Sequence, residues 1–257
     1  MTALADFAKN AFQVMMRNVV VWKRVALSSA IGYVGEPLLY LVALGYGLGQ
    51  VVPDLDGMSY AEFIAPGLVV STVMYTATFE GTFGSYTRMA TQHTYDAVLA
   101  TPITVGELVA GEIFFGGVKA CFGGTIVLAV ATAFRLVPAW SAVLVIPVAF
   151  LAGLLFSAMA VVVSGLAKSY DVFNYYFTLV VAPMYLFGGV FFPLDRMPPW
   201  IQRAALCVPL THVVELSRSL VRGHVRPSLA MHVVAIVLFL GPAYFIAERV
   251  IRGRLVR

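Results

Sequence analysis

The sequence predicts an all-α integral membrane protein with six transmembrane helices, an N-terminal interfacial amphipathic helix, and short re-entrant external helices between spans 5 and 6. Composition is the first observation behind this class. Hydrophobic residues make up 60% of the chain and charged residues 12%, and the mean hydropathy is +0.88. A soluble domain ordinarily carries about 25% charged residues. The second observation is that apolar stretches of about 20 residues, enough to cross a bilayer core, recur along the chain.

The predicted spans are 25–50, 61–85, 105–134, 141–166, 172–192 and 229–248. The first is long enough to tilt or to carry a break at Pro37, and prolines within spans are tolerated because neighbouring helices satisfy the freed backbone groups. We expect no cleavable signal peptide, since the first apolar span is too long for a signal h-region. Residues 1–257 thus form one membrane domain: interfacial helix 1–24, spans within 25–192, external helical loop 193–228, and sixth span with basic tail 229–257.

The Lys and Arg residues predict that both termini are cytoplasmic, because cytoplasmic loops are enriched in positive charge. Basic residues flank the first and last spans: Lys9, Arg17, Lys23, Arg24, Arg249, Arg252, Arg254 and Arg257. Arg88 and Lys168 fall in the second and fourth connections. The first connection has no Lys or Arg, and its charged residues are Asp54, Asp56 and Glu62. The third connection has Arg135, and the fifth departs from the rule with Arg196, Arg203, Arg218, Arg222 and Arg226.

Residues 4–22 have the pattern of an amphipathic helix. At 100° per residue one face carries Leu4, Phe7, Ala8, Ala11, Met15, Val19 and Trp22. The opposite arc carries Asp6, Lys9, Asn10, Gln13 and Arg17. Such a helix lies in the plane of the membrane interface. It serves either as a simple anchor or as a platform that also touches a cytoplasmic partner.

The second connection, residues 88–102, contains the pattern of a short helix. Thr94 is positioned to cap a helix that runs to Leu99, and Pro102 ends it. Thr104 and Glu107 then match a capping box that opens the third span. A short helix between two spans on the cytoplasmic side suits docking into a groove of another protein, and an ordinary polar turn is the alternative.

Four charged residues fall inside predicted spans: Glu36, Glu80, Glu112 and Lys119. Insertion of such a charge costs about 2.5–3.5 kcal/mol, so each suggests either structural pairing or contact with a substrate. Glu112 and Lys119 share a helix face but lie about 10 Å apart in rise. We therefore expect each to pair elsewhere. Small residues at Gly45–Gly49 and Gly116–Gly124 predict close helix contacts, within the chain or across a dimer.

Motifs for nucleotide, metal or nucleic-acid chemistry are missing from the sequence. No lysine directly follows a glycine, so we expect no phosphate-binding loop, no nucleotide cofactor and no catalytic role on this chain. His93, His212, His224 and His232 have no metal-ligand spacing. The net charge of +4 does not indicate nucleic acid, because the basic residues lie at the ends of apolar spans. Glu215 and Arg218 are helix neighbours at i,i+3 and predict a polar cluster.

The C-terminal motif Pro209-Leu-Thr-His212 followed by Arg218, after six spans, resembles that of ABC-2 type transporter permeases. Three stretches are similar to the nodulation-type (NodJ-like) lipo-oligosaccharide exporter permeases: 63–68, 77–81 and 169–178. The resemblance covers the whole chain. It makes Pro209, His212 and Arg218 the family signature.

The resemblance implies a homodimeric permease in the bacterial cytoplasmic (inner) membrane, bound to two copies of a cytoplasmic ABC ATPase that holds ATP and Mg. The cargo is expected to be an amphiphile, such as a lipo-oligosaccharide, a polysaccharide or a lipid-like molecule, moved among membrane lipids. Coupling to the ATPase is assigned to Arg88, Tyr95, Asp96, Leu99 and Pro102. The arginines of the fifth connection would lie where anionic headgroups or sugars emerge.

Two other functions remain open on the residues alone. A secondary transporter needs ion-binding carboxylates near the midplane, which Glu80 and Glu112 could supply, although no repeat relates the two halves. A membrane enzyme such as a lipid-headgroup transferase needs clustered polar groups at one interface, and only His212, Glu215 and Arg218 approach that. Recovery of an ATPase subunit with the protein would distinguish an ABC-type permease from a secondary transporter and from a membrane enzyme.

Overall fold

The computed structural model describes residues 3–51, 55 and 57–255, and this part of the chain folds as helices joined by short connections. Asp54, Asp56 and Arg257, which enter the charge argument, lie outside the described residues. The described helices, in chain order, are α1 Ala3–Trp22, α2 Ala26–Gln50, α3 Tyr60–Thr91, α4 Thr94–Leu99, α5 Val105–Ala133, α6 Trp140–Leu166, α7 (Asp171–Tyr176, Phe177–Val181 and Ala182–Phe187 in succession), α8 Pro199–Ala205, α9 Pro209–Val221 and α10 Leu229–Leu255.

Helices α2, α3, α5, α6 and α10 are long and apolar enough to cross a membrane. Helix α7 runs without interruption for about 25 Å at 1.5 Å per residue, near the lower limit for a span. Helices α8 and α9 meet at 92°, which is the geometry of a broken span or a re-entrant loop. The predicted all-helical, multi-pass architecture is confirmed, with α2, α3, α5, α6, α7 and α10 at the six predicted spans.

Several predicted boundaries are wrong. The fifth span ends at Phe187 rather than at 192, because Gly188 leaves the helix and Gly189 adopts a positive φ of 83°. Helix α10 continues to Leu255, well past residue 248. Helix α2 passes through Pro37 without a break and changes to π-helical turns only at Leu41–Gly47, where the turns widen.

Helix α3 shows the largest departure, since it continues to Thr91 rather than ending at residue 85. It includes two π-helical turns, Glu80–Gly84 and Thr87–Thr91. Arg88 therefore lies inside this helix with its side chain only 14% exposed, so its predicted place in the second connection is wrong. The physical reason is that two carboxylates neutralise its charge within the bundle.

Helix α1 is a single amphipathic helix, as predicted, and it packs along α5. Its buried side is narrower than the predicted apolar face. Ala11 and Met15 are buried as expected, whereas Leu4 is 78% exposed. Asn18, which belongs to neither predicted face, is buried, because it has a hydrogen-bond partner on α5.

The centre of the bundle is α3, packed against α5 and α6. In its apolar window 83% of the residues are buried, compared with 11% in α2 and in α10. Helices α2 and α10 therefore present most of their apolar side chains outward, which is the expected arrangement for helices that face lipid.

Small residues let α5 and α6 approach closely. A Cβ built on Gly153 would lie 3.0 Å from the Cα of Gly117 and 3.0 Å from the Cβ of Ala120. Gly45 likewise lies against Ala61, since a Cβ built there would come 3.1 Å from the Ala61 Cβ. The contacts predicted from the small-residue motifs are thus made within the chain.

The connections separate into two ends. At one end the first, third and fifth connections meet, where Arg222 lies against Met58 and the Ser141 hydroxyl donates to the Leu220 carbonyl oxygen. At the other end the Tyr86 hydroxyl donates to the Lys168 carbonyl oxygen, and Arg254 donates to carbonyl oxygens at the end of α6. Six spans would place the odd-numbered connections at one end and the even-numbered connections at the other, which agrees with these contacts.

Substitution of Gly153 by leucine tests the α5–α6 contact. The added side chain has no room beside Gly117, and overpacking of this kind costs about 1–3 kcal/mol. We expect Gly153→Leu to lower the Tm of the detergent-solubilised permease by several degrees. Gly241→Leu is the matched control, because no atom lies within 4 Å of a Cβ built on that helical glycine. Equal Tm values for the two variants would contradict the close packing.

Candidate functional site: a buried ion-pair cluster beside an intramembrane cavity

Helices α3 and α5 share a buried ion-pair cluster made of Glu80, Arg88, Glu112 and Lys119. Arg88 Nη1 lies 2.8 Å from Glu80 Oε1, and Arg88 Nη2 lies 2.6 Å from Glu112 Oε2. Lys119 Nζ lies 2.7 Å from the second oxygen of Glu80. Two carboxylates and two cations thus alternate in one chain of contacts. The prediction that Glu112 and Lys119 pair elsewhere rather than with each other is confirmed.

Local sequence explains how Glu80 and Arg88 meet within one helix. Glu80 begins the first π-helical turn and Arg88 lies in the second, and these turns change the register of the side chains relative to a regular α-helix. Gly84 lies directly against the Glu80 carboxylate, and a Cβ at that position would collide with Glu80 Oε1. Glycine therefore leaves the space in which the carboxylate turns toward Arg88. The guanidinium also lies 5.6 Å from the ring centroid of Phe115.

Helix α1 is tied to α5 through two asparagines, one of which binds a residue of the cluster. The Asn18 amide nitrogen donates to Glu112 Oε1 at 2.8 Å, and the Asn10 amide nitrogen donates to Glu107 Oε1 at 2.8 Å. Glu107 also completes the predicted capping box with Thr104, which is confirmed. Both hydrogen bonds end on carboxylates of α5, so the N-terminal helix is tied to the helix that carries half of the cluster.

Helix α4 is attached to the same region through Tyr95. The Tyr95 side chain is buried, and its hydroxyl lies 2.7 Å from Ser85 Oγ, which in turn lies 3.1 Å from Ser164 Oγ. Burial raises the pKa of the Tyr95 phenol well above its ordinary value, and the nearby Glu112 carboxylate raises it further. Tyr95 is therefore a neutral anchor between α4 and the bundle.

The other side of α4 is open. Asp96 is exposed and contacts His93 Nδ1 at 3.0 Å, whereas Leu99 is partly buried and Pro102 is exposed. The predicted helix 94–99 is confirmed, but the predicted cap is wrong. Thr94 does not cap the helix; His93 precedes it with φ of 52°, and no side chain accepts from the first backbone N–H groups.

A cavity of about 240 Å³ lies between α2, α3, α5 and α7 next to the cluster. Its polar lining is formed by Tyr33, Glu36, Tyr40, Ser71, Thr72, Tyr75, Thr76, Lys119 and Tyr185. Tyr75 and Tyr40 both make ring contacts with Tyr185, at centroid distances of 5.4 and 6.4 Å. Lys119 belongs to both the ion-pair cluster and the cavity wall, so the two sites are continuous.

Glu36 differs from the other three predicted intramembrane charges. Its side chain is exposed at the mouth of the cavity, and no ion pair in the described part of the chain includes it. The cluster therefore shows structural pairing for Glu80, Glu112 and Lys119. Only Glu36 remains as a spanning carboxylate in contact with the cavity.

The signature residues lie at the opposite end and hold the bent pair α8–α9. Pro209 begins α9, where a missing backbone N–H costs nothing. His212 Nε2 lies 3.0 Å from the Leu206 carbonyl oxygen at the bend, and its Nδ1 lies 3.1 Å from His232 Nδ1 on α10. Arg218 donates to the Gly189 carbonyl oxygen at 2.7 Å and to Glu215 at 3.1 Å, and its guanidinium lies 4.1 Å from the Phe63 ring centroid.

Sequence reasoning missed four residues of these sites: Asn18, Tyr33, Tyr40 and Tyr75. Asn18 carried a detectable signal, since it is a polar residue close to the apolar side of an amphipathic helix. The tyrosines of α2 and α3 carried little, because a tyrosine in a span equally indicates the membrane interface. The aromatic residues of α7 have different surroundings: Phe173 is buried, Tyr175 is 67% exposed, and Phe177 and Tyr185 line the cavity.

The chain matches known proteins over almost its full length. The family model "ABC-2 type transporter" matches residues 10–222. Nodulation protein J of Rhizobium leguminosarum bv. trifolii is 38% identical over 256 residues, which cover 100% of this chain and 98% of that protein. Nodulation protein J of Rhizobium meliloti (strain 1021) is 35% identical over 246 residues, covering 96% and 94%. The inner membrane transport permease YadH of Escherichia coli (strain K12) is 28% identical over 217 residues, covering 84% of each chain.

Replacement of Arg88 by glutamine tests the cluster. The variant leaves the Glu80 and Glu112 carboxylates without their shared cation, and breaking a buried ion pair costs about 3–5 kcal/mol. We expect a correspondingly large loss of unfolding free energy, measured by denaturant titration in detergent micelles, with partial recovery in Arg88→Lys. Arg252→Gln is the control, because it breaks the exposed pair with Glu248, worth below about 1 kcal/mol. A small effect at Arg88 would disprove the role of the cluster in holding α3 to α5.

Proposed function

The chain belongs to the ABC-2 type transporter family, and from this premise we propose that it is the permease subunit of an ATP-driven exporter for an amphiphilic molecule. The cargo class is a lipo-oligosaccharide, a polysaccharide or a lipid-like compound. Two permease copies bind two copies of a cytoplasmic ATPase, which holds ATP and Mg. The complex resides in the bacterial cytoplasmic membrane.

One observation carries this proposal: a path made of side-chain contacts and one stretch of helix α3 leads from α4 to the cavity. Tyr95 of α4 contacts Ser85, and three residues further along the same helix Arg88 binds Glu80. Glu80 binds Lys119, which lines the cavity. A displacement of α4 by a partner therefore moves α3 and reaches the cavity wall through ionic contacts, which tolerate little change in length inside a low-dielectric bundle.

The cavity suits an amphiphile. Tyrosine rings offer apolar faces together with hydroxyl groups, and Glu36 and Lys119 add one charge of each sign. A volume of about 240 Å³ is at the small end for a ligand site, so it accommodates part of a cargo rather than all of it. A second copy of the chain would extend the path beyond the exposed mouth at Glu36.

The partner surface is the exposed side of α4 with the residues that flank it: His93, Asp96, Ala97, Ala100, Thr101 and Pro102. Among the coupling residues assigned by resemblance, Asp96 and Pro102 can touch a partner directly. Arg88 and Tyr95 are buried, so they transmit displacement rather than contact the ATPase. Leu99 is partly buried and packs the helix onto the bundle.

Paired carboxylates argue against a secondary transporter. Coupling to a proton or ion gradient needs a carboxylate that alternately binds and releases a cation. Glu80 and Glu112, the carboxylates that the sequence offered for this role, are held by Arg88 and Lys119 and are not free to do this, whereas Glu36, which has no ion-pair partner among the described residues, is exposed. Power supplied through contact with an ATPase requires no such exchange.

Co-purification tests the class of transporter. The tagged full-length permease, isolated in mild detergent from the cells that encode it, should bring down a P-loop ATPase, and ATP hydrolysis should be measurable in the isolated complex. A secondary carrier would be recovered without such a subunit. Accumulation of cargo in vesicles that hold the permease alone would rule out the proposal.

The docking surface is tested in the same assay by Asp96→Arg. A bulky cation at the centre of the exposed side of α4 should lower ATPase recovery several-fold without loss of the folded permease, because Asp96 is 58% exposed. Ala133→Arg, an exposed residue at the opposite end of the bundle, is the matched control and should leave recovery unchanged. Equal recovery with both variants would place the ATPase elsewhere.

The proposed orientation places both termini in the cytoplasm. The end of the bundle that carries α4 also carries the basic residues beside the first and last spans, and cytoplasmic ends are enriched in positive charge. Single cysteines at Thr101 and Ser228, in a background that lacks both native cysteines (Cys121→Ala, Cys207→Ser), report the two ends, since both positions are exposed. A membrane-impermeant maleimide should label Ser228→Cys in intact cells, and should label Thr101→Cys only after permeabilisation. The reverse pattern would invert the topology.

A further inference from the structure

A second cavity, of about 610 Å³, lies at the end of the bundle that carries the signature residues. It is bounded by α8, α9 and the segment that follows α7. Three arginines line it: Arg203 from α8, and Arg218 and Arg222 from α9. We propose that this cavity is a binding site for a phosphate-type oxyanion, carried either on the headgroup of an anionic lipid or as a free ion.

The helical register of α9 places the relevant side chains on one face. Thr211, Glu215, Arg218 and Arg222 are spaced by four, three and four residues, and all four line the cavity. The opposite side of α9 is apolar and buried, as at Leu210, Val213 and Val214. The polar face is therefore directed into the cavity by the same packing that fixes the helix.

The bend between α8 and α9 supplies the third arginine. Because the two helices meet at 92°, Arg203 of α8 lies at the same cavity as Arg218 and Arg222 of α9. His212 stabilises this bend through its contact with the Leu206 carbonyl oxygen. Convergence of arginines from two helices is a common way to recognise phosphate, because the guanidinium offers several N–H donors in a fixed plane.

The charges at the cavity favour an anion. Two carboxylates line it, Glu215 and Asp195, against three guanidinium groups. Glu215 is already engaged by Arg218 at 3.1 Å, and Asp195 is exposed to solvent. Arg222 donates only to the sulfur of Met58, a weak acceptor, among the residues that the structure describes. A positive charge and unused donors thus remain.

Two polar atoms of the lining residues point to a missing acceptor. Arg218 Nε and the Thr211 hydroxyl oxygen are both buried without a hydrogen-bond partner in the described structure. A buried donor left without an acceptor is energetically unfavourable. An oxyanion in the cavity brings acceptor oxygens to these two residues, and its binding would offset that cost. The Phe63 ring beneath Arg218 keeps the guanidinium in place without consuming a donor.

Three variants of the full-length permease test the site. Arg222→Gln and Arg203→Gln each remove one cavity charge from a side chain that is at least partly exposed, so the fold should survive, as gel filtration would verify. Arg226→Gln is the matched control, since Arg226 is exposed in the same connection but does not line the cavity. Arg218 is left intact, because its bond to Gly189 holds the end of α7.

Binding is measured in two arms. In the first, inorganic phosphate is titrated by calorimetry into permease in phosphatidylcholine nanodiscs, with sodium chloride at matched ionic strength as the reference. In the second, native mass spectrometry counts the lipids retained from phosphatidylglycerol and from phosphatidylcholine. We expect Arg222→Gln and Arg203→Gln to weaken anion binding about tenfold, the equivalent of one charge-assisted contact of ~1.4 kcal/mol, and Arg226→Gln to change it less than twofold.

Selective retention of phosphatidylglycerol that is lost in the two cavity variants would identify a lipid headgroup as the ligand. Sensitivity of the phosphate arm alone would identify a free anion. Absence of saturable binding in both arms, or equal weakening by Arg226→Gln, would overturn the site. Because no ATPase is needed, failure here leaves the export proposal untouched, and loss of ATPase recovery leaves this site untouched.

Discussion

Neutralisation of four charges inside an apolar bundle is the constraint on which the structure depends. A carboxylate transferred alone into a low-dielectric interior is too costly to persist, whereas paired and hydrogen-bonded charges are tolerated. Glu80, Arg88, Glu112 and Lys119 sum to no net charge and touch one another in series. Since two of them lie on α3 and two on α5, pairing fixes the rotation of both helices about their axes. The position of helix α1 depends on the same pairing, because its Asn18 amide nitrogen donates to Glu112 Oε1.

The π-helical turns of α3 are the backbone counterpart of that constraint. Such turns are rare and occur mostly at functional positions. Here they begin at Glu80 and again at Thr87, on either side of Ser85, the residue that receives the Tyr95 contact from α4. The segment that binds α4 is thus flanked on both sides by turns that depart from α-helical hydrogen bonding. A helix already departing from α geometry can change register at lower cost than a regular one, which suits a part that must transmit movement.

The extent to which the sequence predicted the molecule can be seen in particular residues. Span positions followed from hydropathy alone, and the Thr104–Glu107 capping box followed from local spacing, because both depend on short-range chemistry. Arg88 was misplaced because a lone arginine after an apolar stretch normally marks a span end, and only the tertiary pairing with Glu112 reverses this. The sequence likewise could not predict that Arg203 and Arg222 lie at one cavity, since this depends on the 92° bend between two helices. Pairing of spanning charges was predicted, whereas their partners were not.

The charged side chains at the two ends of the bundle differ in how completely they are paired. In the cluster of α3 and α5, every cation is matched by a carboxylate. At the opposite end the signature residues consume only part of their donor capacity: Arg218 uses two guanidinium nitrogens and leaves the third unpaired. A fully paired cluster transmits force because its contacts resist separation. A partly paired one keeps donors available for a ligand, and this difference in pairing is consistent with the proposal of movement at one end and anion binding at the other.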